Sequence, residues 1–450
     1  MLSGRPDGNI VQMPSATRLS IPLRTKRFTF SDIKVVSAQK VSRGQVLAVD
    51  PDNFDLPLLA SANGTVALDL DNAFITLTDI SNDSGASQQS SASAASGKIE
   101  RLFRFGAWEY FYDAFTCRLP DPSAAPQAVI VSTLSLEPFL IRGDVRLNEN
   151  IKSFATGIEH LASICPQRQI HLVLPKLNTP LVSSLLDLVG SKVNIVHVDL
   201  KYPYDHANIV ARHLNLRSAD GAVWSLKTEG VLAVDKVLSQ SCYAVDRVIS
   251  IAGPAVEKPT NISVPTGFAV ADIVSKFGIA SGTRIIDGGI LTGKPFDADV
   301  RYVDGECRGI TFVPEHTGRE FLGWLRPGFD RHSYSNSFGS AIRPPFREGM
   351  NTAVRGEVRP CISCNFCENV CPAGIMPHVL HKYIYADQID ELQASRIDLC
   401  ILCGLCTYVC TSKLELNDEF AQAMAVIEEE KQAARLAEER QKAESENKQE

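Results

Sequence analysis

The sequence predicts a multidomain protein of mixed class, part α+β and part α/β. Three observations predict it. The chain has 450 residues, about three times a typical domain of roughly 150. Its hydrophobic period changes along the length, from short alternating runs, to strand–helix alternation, and back to short strands. Eight of its twelve cysteines fall between Cys361 and Cys410. Composition is that of an ordinary globular chain, 44% hydrophobic and 22% charged. The net charge of −7 argues against a dedicated nucleic-acid binder, which would carry a basic stripe. No run of about 18 apolar residues occurs, so the chain is not expected to span a membrane. Met1 to Asp7 lacks an apolar core, so no secretory signal is read there. A disulfide scaffold would be short and cysteine-rich throughout, so the clustered cysteines point to a metal-binding segment kept reduced in the cytosol.

Residues 1–25 carry Gly, Pro and Ser without periodicity and read as a loose leader. Residues 26–80 show two short β units. Asp32 to Ala38 alternates, Ser42-Arg43-Gly44-Gln45 turns, and Val46 to Asp50 continues. Leu58 to Leu68 follows, with Asn63-Gly64 as a turn signal. The spacing resembles a barrel-sandwich module of the biotinyl/lipoyl type. The carrier lysine of that fold is missing, since Ala62-Asn63-Gly64 stands in its turn, so a structural module is expected. Residues 81–98 are Ser/Ala/Gln/Gly-rich, cannot bury surface, and are expected to be a mobile loop.

Residues 99–245 read as a Rossmann-like, doubly wound α/β domain. Gln127 to Thr133, Gln169 to Pro175 and Lys192 to Val198 are strands. Ile151, Phe154, Ala155, Ile158, Leu161 and Ala162 recur at helical spacing. Thr179-Pro180 opens a second helix and Gly190 closes it. No G-x-G-x-x-G follows any strand, so the fold says little about a ligand. Residues 246–300 read as a β-grasp (SLBB-like) unit: Val248 to Pro254, a helix over Val270 to Lys276, and Thr283 to Gly289. Gly288, Gly289 and Gly293 form either an anion cradle or a tight turn. Residues 301–350 are expected to be a β-rich connector.

Residues 351–420 hold the cysteine motifs Cys361-x2-Cys364-x2-Cys367-x3-Cys371-Pro372 and Cys400-x2-Cys403-x2-Cys406-x3-Cys410. Each loop supplies three thiolates for a cubane, and the fourth ligand comes from the other motif. One [4Fe–4S] cluster is assigned to Cys361, Cys364, Cys367 and Cys410. The other is assigned to Cys400, Cys403, Cys406 and Cys371. Structural zinc also takes four thiolates, but usually from paired C-x2-C knuckles. Helical character between the motifs, around His381, Ile389, Leu392 and Ile397, resembles a helical-ferredoxin domain. Thr411 stands where proline is usual, at a small cost in rigidity. Lys413 either raises the potential of the nearby cluster by its charge or is simply a solvated lysine. His378 and His381 are not needed as ligands. Cys117, Cys165, Cys242 and Cys307 read as small core residues. Residues 421–450 form a charged tail, a fraying helix or disordered.

Taken together the chain resembles the NqrA family, the A-type component of the sodium-translocating NADH:quinone reductase. The residues that carry this are Leu102 to Trp108, Pro138-Phe139-Leu140, Asp220 to Trp224, Thr228-Glu229-Gly230, Ile249 to Pro254, Lys258-Pro259, Glu320 to Trp324, Pro327-Gly328 and Ser337-Phe338-Gly339. Familiar members lack most of the cluster cysteines. All eight are present here, as in the related C subunit of the Rnf complex. That subunit carries a glycine-rich FMN/NADH loop, whereas Phe105 to Tyr110 here has an aromatic and a carboxylate in its place. FMN and NADH are therefore not expected on this chain.

The resemblance implies a peripheral electron-transfer subunit on the cytoplasmic face of the inner membrane. It implies membrane partners, the B subunit first among them, quinone at an interface with them, and sodium transport by the partner subunits. Two other readings stand beside it. One is an NADH-oxidising flavin subunit of the Rnf C type. The other is a non-redox assembly scaffold holding zinc.

Overall fold

The structure is a computed structural model that describes residues 4–81, 97–165, 169–177, 179–316, 350–353 and 358–446. The polar stretch 81–98 lies almost wholly outside the described residues, as do most of the 301–350 connector and the family-like residues 320–339. The chain divides into two compact units, Met1–Ala353 and Val354–Glu450. Its class is mixed α/β with several sheets.

In the first unit, β1 (Ile10–Gln12) and β2 (Leu19–Pro22) are followed by β3 (Asp32–Ile33), β4 (Lys40–Val41) and β5 (Val46–Asp50). Then come β6 (Leu56–Leu59), β7 (Asn63–Asp69) and β8 (Phe74–Ser81). They form a four-stranded sheet β2-β8-β7-β4 and a three-stranded sheet β3-β5-β6. Leu19, Ile21, Leu47, Val66, Ile75 and Leu77 meet in one apolar core.

Two expectations are corrected here. The leader is structured where it is described: every residue of β2 is buried, and β1 pairs in parallel with a strand near residue 261. Asn63-Gly64 is not a hairpin turn but the irregular start of β7. Gly64 fits there because a Cβ would lie 2.7 Å from the Thr78 carbonyl oxygen.

The next section contains α1 (Lys98–Arg104), β9 (Tyr112–Asp113), β10 (Ala128–Ser132), α2 (Gly143–Glu149) and α3 (Ile151–Ile164). It continues through β11 (Gln169–Pro175), α4 (Pro180–Val189), β12 (Asn194–Val198), α5 (Ala207–His213), β13 (Val223–Lys227) and α6 (Thr228–Gln240). The sheet order is β12-β11-β10-β13-β9, parallel except for β9. Alternate residues supply its two faces. Val129, Val131, Leu172, Leu174, Trp224 and Leu226 share a core with α3, α4 and α6. Ile130, Val173, Val196 and Val223 pack on Ala207, Val210 and Ala211 of α5. Thr179 caps α4 through Val182 N–H at 3.3 Å, with Pro180 as first helical residue.

The third section comprises β14 (Asp246–Ala252), β15 (Thr260–Pro265), α7 (Val270–Lys276), β16 (Thr283–Asp287), β17 (Lys294–Pro295) and β18 (Gly309–Pro314). Its sheet runs β1-β15-β14-β18-β16-β17. It therefore extends past the expected limit at 300, with β18 inside it and β1 at its edge.

The glycine cradle of this section receives a side chain of the protein itself. Leu291 N–H at 3.2 Å and Thr292 N–H and hydroxyl, both at 2.9 Å, donate to Glu137 Oε1. A Cβ on Gly289 would lie 2.2 Å from the Glu137 carboxyl carbon, which is why glycine stands there. Glu137→Ala is expected to cost about 1–2 kcal/mol, by loss of charge-assisted hydrogen bonds on one loop. Urea midpoints check this, and an unchanged midpoint would contradict the lock.

In the second unit, α8 (Phe366–Asn369), α9 (Pro377–Tyr385), α10 (Ile389–Ala394), α11 (Leu405–Val409) and α12 (Leu416–Glu446) follow one another. Leu416, Phe420, Ala423 and Ile427 line one face of α12 and close on Leu380, Leu392 and Ile397. These spacings of four, three and four residues keep one face of a helix inward. The charged tail is helical as far as Glu446. Among the described residues no helix is long and apolar enough to cross a membrane.

Candidate iron–sulfur site

The second unit is a local duplication at one fixed offset. Cys361, Cys364, Cys367 and Cys371 recur as Cys400, Cys403, Cys406 and Cys410. The backbone repeats with them. Ser363 and Leu402 both have φ 52°, Asn365 and Gly404 have φ 63° and 75°, and Gly374 and Lys413 have φ 68° and 61°. Left-handed steps at these points wind each loop back on itself, so three sulfurs turn to one side. The short helices α8 and α11 then begin at matching positions and pack on each other. Even the starts of α9 and α12, Pro377 and Leu416, match.

The duplication brings cysteines of both motifs to one cavity. Cys361, Cys364, Cys367 and Cys410 line one cavity of about 330 Å³, with Ile362, His378, Thr411, Leu414 and Leu416. Cys410 arrives there because the turn behind it is tied to the chain ahead of Cys361. Arg359 N–H donates to the Ser412 carbonyl at 3.0 Å, and the buried Ser412 hydroxyl donates to the Pro360 carbonyl at 3.0 Å. Thr411 Oγ1 lies 3.6 Å from Cys364 Sγ.

Cys400, Cys403 and Cys406 form the second loop, where Leu402 N–H donates to Cys400 Sγ at 3.5 Å. Cys371, Cys400 and Cys406 all pack against the same apolar cluster as Leu380 and Leu392. His381 is engaged elsewhere, with its Nδ1 2.7 Å from Glu419 Oε2.

Burial pushes the Cys367 thiol up to about 11, against backbone N–H groups of His378 and Glu368 that pull the other way. Burial pushes the Cys406 thiol up to about 12, and Cys400 and Cys403 push in the same direction. A bound cationic centre pulls the protons off such thiols at neutral pH. Among the described residues, no three His, Cys, Asp or Glu side chains close around the space of a single metal ion. Three thiols of the first loop and Cys410 of the second line one cavity.

The expected core cysteines are only partly so. Cys165 and Cys307 are buried, Cys242 is half-buried and Cys117 is exposed.

Two places in the first unit also bear on ligand binding. Sheets of the β10/β13 kind bind ligands beyond their carboxyl ends. Here Lys227 pairs with buried Asp205 at 3.3 Å, and Asp205 also accepts Leu136 N–H at 3.2 Å. Burial and Lys227 together bring His206 beside them down to about 4, so it is neutral.

The other place is the Phe105 to Tyr110 stretch, beside a pocket of about 490 Å³ lined by Phe28, Leu59, Gly106, Glu109 and Arg247. Trp108 stacks on Phe111 at 4.4 Å and meets Trp224 edge-on at 5.1 Å. Glu109 pairs with Arg247, which is 2% exposed. Trp108 and Glu109 are thus core and ion-pair residues.

Comparison with known proteins agrees with this layout. Residues 95–243 match the family described as NqrA second alpha/beta domain, and residues 360–414 match that described as 4Fe-4S dicluster domain. The NqrA component of the Na(+)-translocating NADH-quinone reductase of Shewanella frigidimarina (strain NCIMB 400) is 24% identical over 412 residues, covering 88% of this chain and 90% of that protein. The chain resembles NqrA along most of its length. The NqrA of Actinobacillus pleuropneumoniae serotype 5b (strain L20) is 26% identical over 424 residues, covering 88% of this chain and 90% of that protein. A crystal structure of NAD+-reducing [NiFe]-hydrogenase in the H2-reduced state aligns at a TM-score of 0.42 and 12% identity, over 73% of this chain and 60% of that chain. An NqrA-type α/β domain and an iron–sulfur domain of the 4Fe-4S type therefore lie in one chain.

Proposed function

We propose that this chain is the peripheral electron-transfer subunit of a membrane Nqr/Rnf-type NADH:quinone oxidoreductase, seated on the cytoplasmic face. The observation that carries the reading is the duplicated cysteine unit on a chain otherwise similar to NqrA. Cys361, Cys364, Cys367 and Cys410 would hold one [4Fe–4S] group, and Cys400, Cys403, Cys406 and Cys371 the other. Such groups, when bound, store and release single electrons at a potential set by their surroundings.

The chain's own residues supply those surroundings. Ser412 and Arg359 fix the turn that carries Cys410, the left-handed steps aim the sulfurs, and the core around Leu380 and Phe420 limits water. In this reading the first unit comprises a barrel-sandwich module, a doubly wound α/β domain and a β-grasp unit, and serves as the body that docks on the membrane subunits. Quinone would be met at that interface, the B subunit would be the nearest partner, and sodium movement would belong to the partners. The Rnf C-type alternative has less support, because Trp108 and Glu109 are held in the core and in the Arg247 pair.

An anaerobic isolation from detergent-solubilised membranes tests the proposal. The tagged chain is expected to bring integral membrane subunits with it, and NADH is expected to bleach its visible absorbance only in that assembly. Bleaching by NADH of the chain alone would favour the flavin-subunit reading instead.

A further inference from the structure

The two cysteine sites share one backbone frame and carry different side chains. Because the frame repeats at a fixed offset, each residue around the first site has a counterpart around the second. Thr411 follows Cys410 at the first site, and its hydroxyl lies 3.6 Å from Cys364 Sγ. Its counterpart is Pro372, which has no donor.

Ser363 sits on the first left-handed step, and Lys382 Nζ donates to its hydroxyl at 2.9 Å, which brings an ammonium onto the loop. The counterparts are Leu402 and Ala421, neither polar nor charged. Arg359 reaches the Thr411 carbonyl through Nη2 at 3.4 Å. Its counterpart is Asp398, which is paired with Arg396 at 2.9 Å. Acids stand on the other side of the balance as well: Glu368, 3.7 Å from His378 Nδ1, where the second site has Thr407, and the exposed Glu415, between the cavity-lining Leu414 and Leu416, where the second site has Met376. Solvent differs as well, since Cys364 is exposed and its counterpart Cys403 is half-buried.

Each of these differences but the acids Glu368 and Glu415 acts in one direction. Reduction adds negative charge, which is stabilised by a hydrogen bond to a ligand sulfur, by nearby cations and by water. We propose that the two sites are unequal in reduction potential. The Cys361/Cys364/Cys367/Cys410 site is the more readily reduced, and Thr411 is the residue that tunes it through the Cys364 sulfur. The proposal rests on the assignment of two [4Fe–4S] groups made above.

The test is a redox titration of the full chain, purified anaerobically with its clusters, followed by electron paramagnetic resonance. Two midpoints are expected. Thr411→Val, which keeps the shape and removes the hydroxyl, should lower the higher midpoint and leave the other in place. Thr411→Ser should keep the original value. Lys382→Ala, a surface change remote from the turn, should lower the same midpoint, and it carries the test alone if the Thr411 variant fails to load iron.

In a chain carrying about eight irons, equal midpoints would overturn the asymmetry, and unequal midpoints indifferent to these substitutions, or a shift confined to the lower one, would overturn the role of Thr411. A chain without iron would overturn the cluster assignment and this proposal together.

Discussion

Cys371→Ser is expected to destroy the site built on Cys400, Cys403 and Cys406, not the site of its own loop. Cys410→Ser is expected to do the converse. Each should lower iron from about eight to about four per chain, with one resonance signal lost and the other kept. The signal lost in Cys371→Ser should be the one lost in Cys400→Ser, and that lost in Cys410→Ser the one lost in Cys361→Ser. The physical basis is the exchange across the duplication. Cys410 lines the same cavity as Cys361, Cys364 and Cys367, and the Ser412–Pro360 and Arg359–Ser412 hydrogen bonds hold it there. Loss of the same signal in Cys371→Ser and Cys361→Ser would show that each motif closes on itself, and would refute the exchange.

Arg247→Ala is expected to destabilise the first unit by about 3–5 kcal/mol. Arg247 is 2% exposed and burial brings its guanidinium down to about 10, still charged at neutral pH. It pairs with Glu109 and with the Tyr110 hydroxyl. It also donates to the carbonyls of Gly305 at 2.8 Å and Ala244 at 2.9 Å. Truncation leaves a carboxylate and two carbonyls without their donor, and that unpaired burial is the main cost. Arg247→Lys keeps the charge but cannot reproduce the planar fork, so it should recover only part of the loss. Chemical unfolding midpoints read this directly. A loss under about 1 kcal/mol would mean that the pair is dispensable.

What could be read from the sequence follows the distance over which each feature is decided. Thr179-Pro180 and Gly190 bound α4 through bonds to near neighbours, so their residue types announce the helix. The cysteine spacings are legible for the same reason, as three cysteines of each motif lie in one short loop. Leu19 to Pro22 was not legible as a strand. Its partner lies at Phe74 to Leu77, and nothing local in a Pro- and Ser-containing stretch records that pairing. Asn63-Gly64 carries the residue types of a turn, yet Gly64 is needed for the close Thr78 carbonyl.

The glycines at 288, 289 and 293 read first as a tight turn, and Gly293 N–H does donate to the Gly289 carbonyl at 2.9 Å; the Glu137 carboxylate that Leu291 and Thr292 hold beside them comes from a loop far away in sequence and was not legible. At the cysteine sites, Thr411 read as a missing proline and a little lost rigidity. Its contact with Cys364 exists only because the fold brings the two motifs together. The matching offset of Gly374 and Lys413, and of Pro377 and Leu416, was present in the sequence but has no residue identity to mark it.

The central claim is that the eight clustered cysteines hold two iron–sulfur groups rather than structural zinc. Elemental and acid-labile sulfide analysis of the chain purified without oxygen tests it most directly. The account predicts about eight irons and about eight sulfides per chain, with no stoichiometric zinc. A colourless protein containing zinc, or fewer than about four irons, would contradict it.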